Sequence, residues 1–293
     1  RFCEDMKDGD IVVLRLGTTD ILGVGVVVGE YEWIDEFGDI DGWDLQHVRR
    51  VKWLWRNIEK PKIFEVYTLK QGDTTQPLNS KKVENWLEGL EIPKENYQRG
   101  LIEIPRLLKK SEITLDEISE YLYDKGISSN SIENLLREID ELIRIAKWYK
   151  KFSQYGKPSE FETVAYLVIP LLRALGWTPQ KMAVEWNNVD VALFNQLPRD
   201  DQNLTVVVEA KKIDNSCLSA FSQAEQYAKG KTVCERLIVT DGLRYGVYFK
   251  EKEQFNLKAY MNLTLLKSDY PVYNCAGVRD ALLFMTPEYK NLN

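Results

Sequence analysis

Three acidic residues and one lysine in the second half of the chain have the spacing of a metal site. Glu160 opens an apolar helical segment, Asp190 lies in V-D-V-A-L-F, and Glu209 and Lys211 lie in V-V-V-E-A-K-K. The runs of Val, Leu and Phe predict buried strands, where a carboxylate is costly unless a cation or hydrogen bonds neutralise it. Because side chains alternate along a strand, Glu209 and Lys211 share one face. The pattern predicts an oxygen-lined pocket suited to Mg²⁺, with a lysine that faces a phosphate or polarises a water.

The order of these residues resembles that of the PD-(D/E)xK nuclease superfamily: Glu160, then Asp190, then E-A-K at residues 209–211. The segment S-E-F-E-T-V-A-Y-L-V-I-P-L-L-R-A-L-G-W, residues 159–177, is similar to the opening helix of the nuclease domain in type I restriction R subunits. The sequence departs from that pattern at Val164, where the family leads us to expect an arginine shortly after the first glutamate.

A second element of that branch, Q-x-x-x-Y, is present as Gln223 and Tyr227 in S-Q-A-E-Q-Y-A. Two residues four apart on a helix share one face. The resemblance covers residues 155–255 and implies that Mg²⁺, with Mn²⁺ as a substitute, is bound by Asp190, Glu209 and Glu160. The catalytic residues that it implies are Glu160, Asp190, Glu209, Lys211, Gln223 and Tyr227.

Simpler interpretations exist for each residue taken alone. Asp190 could be a turn residue at a strand end, and Glu209 and Lys211 could be a solvated pair on an edge strand. Glu162 competes with Glu160 for the helix position, and counting along the family pattern favours Glu160. The ordered set as a whole favours the metal site.

The composition is that of a folded protein long enough for two domains. The chain has 293 residues, of which 44% are hydrophobic and 29% charged, and domains commonly contain about 150 residues. No apolar run of about 18 residues occurs, and we expect neither a membrane span nor a signal peptide. Four widely spaced cysteines without a C-x-x-C pair argue against a zinc site and favour free thiols in the cytoplasm.

A single histidine, His47, excludes much hydrolytic chemistry. Zinc-protease helices, HNH and HD metal sites and a Ser-His-Asp triad in the second half all need histidines that the chain lacks. The net charge of -6 argues weakly against nucleic acid as a partner, but residues 49–62 carry six basic residues and one acid. Charge distribution matters more than the sum for such binding.

The first half contains Val, Ile and Leu runs punctuated by glycines, as in D-G-D-I-V-V-L-R-L-G and L-G-V-G-V-V-V-G. This pattern predicts a small, strongly bent barrel. Residues 8–60 resemble the EVE-like (PUA-related) domain of McrB-type modification-dependent restriction proteins, and the resemblance fades by residue 110. Members of that fold hold a modified base, flipped from its duplex, in an aromatic pocket.

The resemblance leads us to look for base-binding aromatic residues, and Tyr31, Trp33 and Trp43 are the candidates. In V-K-W-L-W, Val51, Trp53 and Trp55 alternate with Lys52 and Leu54, and Trp53 is expected in the core. The insert W-I-D-E-F-G-D-I-D-G-W-D-L-Q, residues 33–46, is acidic and would repel phosphate. We expect it to contact a base edge, because an acid can accept a hydrogen bond from a cytosine amino group. His47 receives no role.

Residues 111–154 are predicted to form a helical connector. Ser111 or Thr114 could cap the first helix, and apolar residues recur at helical spacing in both predicted helices. The second helix is interpreted as a rigid spacer or a dimerisation surface, and core packing is the alternative.

The sequence therefore predicts a two-domain α/β protein. An EVE-like barrel would occupy residues 1–110 and a PD-(D/E)xK domain residues 155–293. We expect a modification-dependent DNA endonuclease, type IV-like, that reads a modified cytosine in double-stranded DNA. A double-strand break would then require a homodimer or two sequential nicks. The alternatives are a non-catalytic reader of modified nucleic acid, or a nuclease subunit that depends on a separate motor, because the chain has no P-loop motif.

Overall fold

The chain folds into two units. The computed structural model describes residues 3–70, 75–90 and 112–289. Unit 1 comprises residues 1–38 and 44–106, and unit 2 comprises residues 39–43 and 107–293. The short segment 39–43 therefore belongs to unit 2, although the residues on both sides of it belong to unit 1. Of the predicted first domain, residues 1–2, 71–74 and 91–110 lie outside the described residues.

Unit 1 is built mainly from short antiparallel strands. Its elements are β1 (Ile11–Leu16), β2 (Asp20–Val27), β3 (Glu32–Trp33), a 3₁₀ helix (Asp35–Phe37), β4 (His47–Val48), β5 (Val51–Arg56), β6 (Lys62–Ile63) and α1 (Lys81–Glu88). Strand β2 pairs with β1, β5 and β6, and β3 pairs with β4. The strands that the structure describes in this unit form no closed barrel, so the EVE-like barrel stays a prediction.

The core of unit 1 is small and lies between β2 and α1. Its buried residues are Ile21, Val24, Leu69, Val83 and Leu87. The last two face inward from α1, which has its apolar residues on one side.

The expectation that Trp53 lies in this core is wrong. The ladder between β2 and β5 shifts register, so that Val24 pairs with Trp55 but its neighbour Gly25 pairs with Trp53. Adjacent residues of β2 point to opposite faces, and the two tryptophans therefore do so as well. Trp55 packs against the core, whereas Trp53 is 41% exposed. The one-residue bulge between Val24 and Gly25 thus places the Trp53 side chain on the face of β5 opposite to the one expected.

Unit 2 begins with helices and continues with strands, into which α6 is inserted, and ends with α7. Its elements are α2 (Leu115–Asp124), α3 (Ser129–Lys151), a 3₁₀ helix (Ser153–Tyr155), α4 (Glu160–Thr163), a π-helical turn (Val164–Val168), α5 (Ile169–Ala174), a 3₁₀ helix (Pro179–Lys181), β7 (Met182–Trp186), β8 (Val189–Phe194), β9 (Leu204–Ala210), a 3₁₀ helix (Leu218–Ala220), α6 (Phe221–Ala228), β10 (Arg236–Thr240), β11 (Arg244–Glu251), β12 (Gln254–Asn262), β13 (Asp269–Tyr270), a 3₁₀ helix (Pro271–Tyr273), β14 (Cys275–Ala276) and α7 (Val278–Phe284).

One mixed sheet organises this unit, with the strand order β13-β14-β12-β11-β10-β9-β8-β7. Strands β9 and β10 are parallel, whereas β8 runs antiparallel to β9. Val206 and Val208 of β9 face the cluster that contains α3 and α5. The intervening Val207 faces the cluster that contains α6. Because both faces are covered, β9 is apolar on both faces from Val206 to Val208, directly before Glu209.

Helices α2 and α3 belong to the core of unit 2. Thr114 caps α2 with a reciprocal capping box to Glu117, and Ser111 lies outside the described residues. The inward side of α3 is fully or almost fully buried, through Ile132, Leu135, Ile139 and Leu142, and the helix packs against α5 and α2. Of the interpretations given for the second helix, core packing is what the structure shows. In the described part of the chain, no helix combines the length and the apolar character needed to cross a bilayer.

Core packing of α3 gives a testable stability difference. Leu142 is fully buried, so we expect Leu142→Ala to lower the free energy of unfolding by about 2–5 kcal/mol through lost burial and a residual cavity. Glu133→Ala, on the exposed side of the same helix, should change it by no more than about 0.5 kcal/mol. Urea unfolding followed by circular dichroism measures both. Equal effects of the two substitutions would contradict the packing role of α3.

Candidate functional site

Asp190 and Glu209 lie at neighbouring ends of β8 and β9. Val191 pairs with Val208 in the antiparallel ladder. Asp190, which precedes Val191, therefore lies opposite Glu209, which follows Val208. Glu209 is 1% exposed and Asp190 is partly buried. One Asp190 oxygen, Oδ2, accepts a hydrogen bond from the backbone N–H of Ala210 at 2.7 Å. The structure thus brings together two residues that are distant in sequence.

Lys211 follows directly after β9 and is held at both its backbone and its side chain. Its backbone N–H donates to the Thr240 carbonyl oxygen at 2.7 Å. Its Nζ lies 3.7 Å from Glu209 Oε1 and donates to Gln223 Oε1 at 3.0 Å. Gln223 Nε2 in turn donates to the Tyr227 hydroxyl at 3.2 Å. Four of the six residues predicted as catalytic, from Glu209 through Lys211 and Gln223 to Tyr227, therefore form one chain of polar contacts.

The start of α4 separates the roles of its two glutamates. Glu162 accepts a hydrogen bond from the backbone N–H of Ser159 at 2.7 Å, and the Ser159 hydroxyl accepts one from the Glu162 N–H. These bonds to Ser159 lower the pKa of the Glu162 carboxyl. Glu160 is close enough for its charge to raise the pKa values of Asp190 and Glu209. Glu162 is thus a capping residue, and Glu160 is the glutamate whose charge acts on the carboxyls of Asp190 and Glu209.

Electrostatics in this site favour an additional positive charge. Burial raises the pKa of the Glu209 carboxyl to about 8, and the charge of Asp190 adds to the effect against the opposing influence of Lys211. Burial also raises the pKa of Asp190, which the Ala210 N–H partly offsets. Glu209 Oε2 is buried and has no hydrogen-bond partner among the described residues. The charges of Asp190 and Glu160 thus oppose ionisation of Glu209, with Lys211 as the compensating cation, and one buried Glu209 oxygen has no partner among the described residues.

These residues fit a hard cation that keeps part of its water shell. Carboxylate oxygens are preferred ligands of Mg²⁺, which is commonly bound through one or two carboxylates. Within residues 3–70, 75–90 and 112–289, no group of three or more His, Cys, Asp or Glu side chains has the arrangement needed to hold a metal ion by itself. The fit rests on Asp190 and on the unpartnered oxygen of Glu209.

Glu185 is an acid near this site that the sequence analysis did not single out. In the β7–β8 hairpin, Val184 pairs with Val191 and Trp186 pairs with Val189, which leaves Glu185 without a partner in the ladder. It has a left-handed backbone with φ 55°, which is unusual for a residue with a side chain. Its charge contributes to the raised pKa of Asp190. The N-N turn that follows it was the available signal for a hairpin.

Two of the three predicted base-binding residues, Tyr31 and Trp33, contact His47 in unit 1. The Tyr31 hydroxyl lies 2.9 Å from His47 Nδ1. The rings of Trp33 and His47 are perpendicular with centroids 5.0 Å apart, and Trp33 is 54% exposed. His47, which received no role from the sequence, is thus the centre of this aromatic group. Trp43 is 66% exposed and belongs to unit 2.

The expectation that the acidic insert faces a base edge is wrong for Asp39 and Asp41. Both carboxylates are used within unit 2: Asp39 pairs with Arg244, and Asp41 accepts hydrogen bonds from the backbone at residues 217 and 218. An arginine and free backbone N–H groups offered these acids better partners than solvent. Local composition could not reveal partners so distant in sequence.

Comparison with known proteins adds one match, to the N-terminal part of the chain. A family model described as "Domain of unknown function (DUF8426)" matches residues 1–76. No curated protein matches the chain, and no solved structure matches it either. The matched range contains the three candidate base-binding residues. Functional inference for both units therefore rests on their own residues and geometry.

The raised pKa of Glu209 predicts a pH-dependent stability in chelating buffer. The folded protein holds this proton up to pH about 8, whereas the carboxyl of an unfolded glutamate loses it near 4.5. The folded state binds more protons between these values, so this group lowers the free energy of unfolding as the pH rises through that window. Glu209→Gln should be more stable than the wild type above pH 8, on the order of a few kcal/mol, and equal to it below pH 4.5.

Urea unfolding at both ends of the window measures this difference. Glu162→Gln is the control of opposite sign, because its lowered pKa adds stability above the ordinary pKa of a glutamate. An advantage of Glu209→Gln that is the same at both pH values would contradict the assignment.

Proposed function

We propose that the chain is a Mg²⁺-dependent endonuclease that acts on double-stranded DNA carrying a modified base. The observation that carries this proposal is the assembly of Asp190, Glu209, Lys211 and Gln223 at the ends of β8 and β9. Its buried carboxylates are short of positive charge, and its lysine is fixed by neighbours. That combination suits a metal and an anionic substrate better than it suits a structural ion pair.

Asp190 and Glu209 would hold the Mg²⁺, with Glu160 contributing directly or through a water; Mn²⁺ is expected to substitute. When bound, the metal lowers the pKa of a coordinated water and stabilises charge that develops on the phosphate. Lys211 uses one donor toward Gln223 and retains others for a phosphate oxygen or the attacking water. A donor already positioned needs no reorganisation during the reaction.

Gln223 and Tyr227 act on Lys211 rather than on the substrate in this proposal. The Gln223 side-chain oxygen accepts from Lys211 and its nitrogen donates to the Tyr227 hydroxyl. The amide is thereby fixed in one orientation, with its oxygen toward the lysine. Because both residues lie on the same face of α6, their relative positions follow from the helix.

Recognition of the base is proposed for the aromatic group of unit 1. Flipping a base costs a few kcal/mol in lost stacking and pairing, and an aromatic contact returns about 1–3 kcal/mol. Exposed Trp33, with Tyr31 and His47 beside it, supplies such a contact. A modified cytosine is the proposed ligand. Cleavage of both strands would need a second copy of the chain or two sequential nicks.

Removal of the Lys211 amine tests the nuclease proposal. With Mg²⁺ and duplex DNA, we expect Lys211→Ala to lower kcat by about 10²–10³-fold, the usual effect of losing one positioned donor, with little loss of DNA binding. Lys212→Ala is the matched control, because Lys212 is exposed beside it and should cut normally. Unchanged cutting by Lys211→Ala would refute the site assignment.

A panel of duplexes tests base recognition separately. It contains unmodified cytosine, 5-methylcytosine, 5-hydroxymethylcytosine, N4-methylcytosine and N6-methyladenine in one sequence. We expect preference for a modified cytosine, reduced about 5- to 150-fold in Trp33→Ala, which is the equivalent of one lost stacking contact. Trp53→Ala removes another exposed tryptophan of the same unit and should keep the preference. Equal cutting of all duplexes would exclude base reading, and selective binding without Mg²⁺-dependent cutting would favour a reader without nuclease activity.

A further inference from the structure

Asp41 occupies the start of the helix that carries Gln223 and Tyr227. Its Oδ1 accepts from the backbone N–H groups of Cys217 at 3.0 Å and Leu218 at 3.3 Å. Its Oδ2 accepts from the Ser216 hydroxyl. A 3₁₀ turn from Leu218 continues directly into α6. Asp41 therefore contacts the backbone groups that a helix leaves unsatisfied at its N-terminus.

The helix has no cap of its own. Neither Cys217, before the 3₁₀ turn, nor Ala220, before α6, makes a side-chain capping hydrogen bond. A carboxylate is among the best capping groups, and its charge is favourable at the positive end of the helix dipole. Asp41 supplies both effects from a distant position in the sequence.

Further contacts within unit 2 hold the segment 39–43 in place. Asp39 Oδ1 accepts from Arg244 Nε at 3.2 Å, and Asp39 Oδ2 accepts from Asn262 Nδ2 at 2.9 Å. Arg244 also pairs with Asp241 at 2.8 Å. At Gly42, which has φ +86°, an added Cβ would lie 2.9 Å from the Arg244 guanidinium carbon. The conformation of segment 39–43 is thus stabilised by an ion pair and hydrogen bonds, and the close contact with Arg244 leaves no room for a side chain at residue 42.

The loop between Lys211 and α6 is consequently fixed at both ends. At its beginning the Lys211 N–H is bonded to the Thr240 carbonyl, and at its end the backbone of residues 217 and 218 is bonded to Asp41. Lys211 and Gln223 meet across this loop at 3.0 Å. Movement of the first turn of the helix would change that distance directly.

We propose that Asp41 is a positioning residue: by capping this helix it holds Gln223 against Lys211. Its importance for catalysis rests on the proposed nuclease function, whereas the positional role is a property of the folded chain. Asp41 has φ 49°, a left-handed backbone that glycine and asparagine adopt readily. Asp41→Gly therefore removes the carboxylate without imposing backbone strain, and Asp41→Asn retains an acceptor oxygen.

Two measurements that need no substrate test the proposal on the full chain. The first is amide hydrogen exchange of residues 217–228, and the second is the rate at which an N-hydroxysuccinimide ester acylates Lys211, followed by mass spectrometry. Loss of an N-cap shifts the opening equilibrium of a first turn roughly fivefold. We expect Asp41→Gly to raise both quantities by about that factor and Asp41→Asn to restore values near the wild type.

Asp44→Gly is the matched control, because Asp44 is an exposed acid of the same stretch of chain and should change neither quantity. Unchanged acylation of Lys211 in Asp41→Gly overturns the positioning role, whether or not hydrogen exchange increases. Cleavage is measured in parallel, where Asp41→Gly should lower kcat and leave KM unchanged. A wild-type protein that cuts no duplex would refute the nuclease function, while the acylation rates would still decide the role of Asp41.

Discussion

The desolvation of Glu209 is the constraint on which the organisation of unit 2 depends. The carboxyl lies at the end of a strand that is buried on both faces, where water cannot compensate its charge. Asp190 beside it makes ionisation harder still, and one oxygen of Glu209 keeps no partner among the described residues. Such a group is unfavourable to the fold alone. A cation bound as proposed would offset this cost.

The helices on both faces of the sheet contribute side chains to the site around the Glu209 carboxylate. Glu160 arrives from the layer of α3 and α5, at the start of a helix whose following turns pack into that core. Gln223 and Tyr227 arrive from α6 on the opposite face. Strand β9 joins the two, because its alternating valines contact both layers before the sequence changes to E-A-K. The transition from core to candidate site thus occurs within a few residues of one strand.

The position of Lys211 depends on a series of hydrogen bonds that begins at Asp41. Asp41 fixes the backbone that leads into α6, α6 fixes Gln223, and Gln223 fixes Lys211. The segment that supplies Asp41 is continuous in the chain with β3 and β4, which carry Trp33 and His47. A chain segment that lies between elements of unit 1 therefore completes a helix of unit 2.

Much of this arrangement is determined by sequence periodicity. The apolar runs predict β8 and β9, the alternation along β9 places Glu209 and Lys211 on one face, and the spacing of four places Gln223 beside Tyr227. Such patterns are local, because a strand repeats every two residues and a helix every 3.6. Only the tertiary structure decided that Trp53 is exposed, that Glu185 leaves the ladder, and that Asp39 and Asp41 have their partners in unit 2. A bulge changes the face of a strand residue, and partners about two hundred residues away leave no local pattern; both follow from the packing of the whole chain.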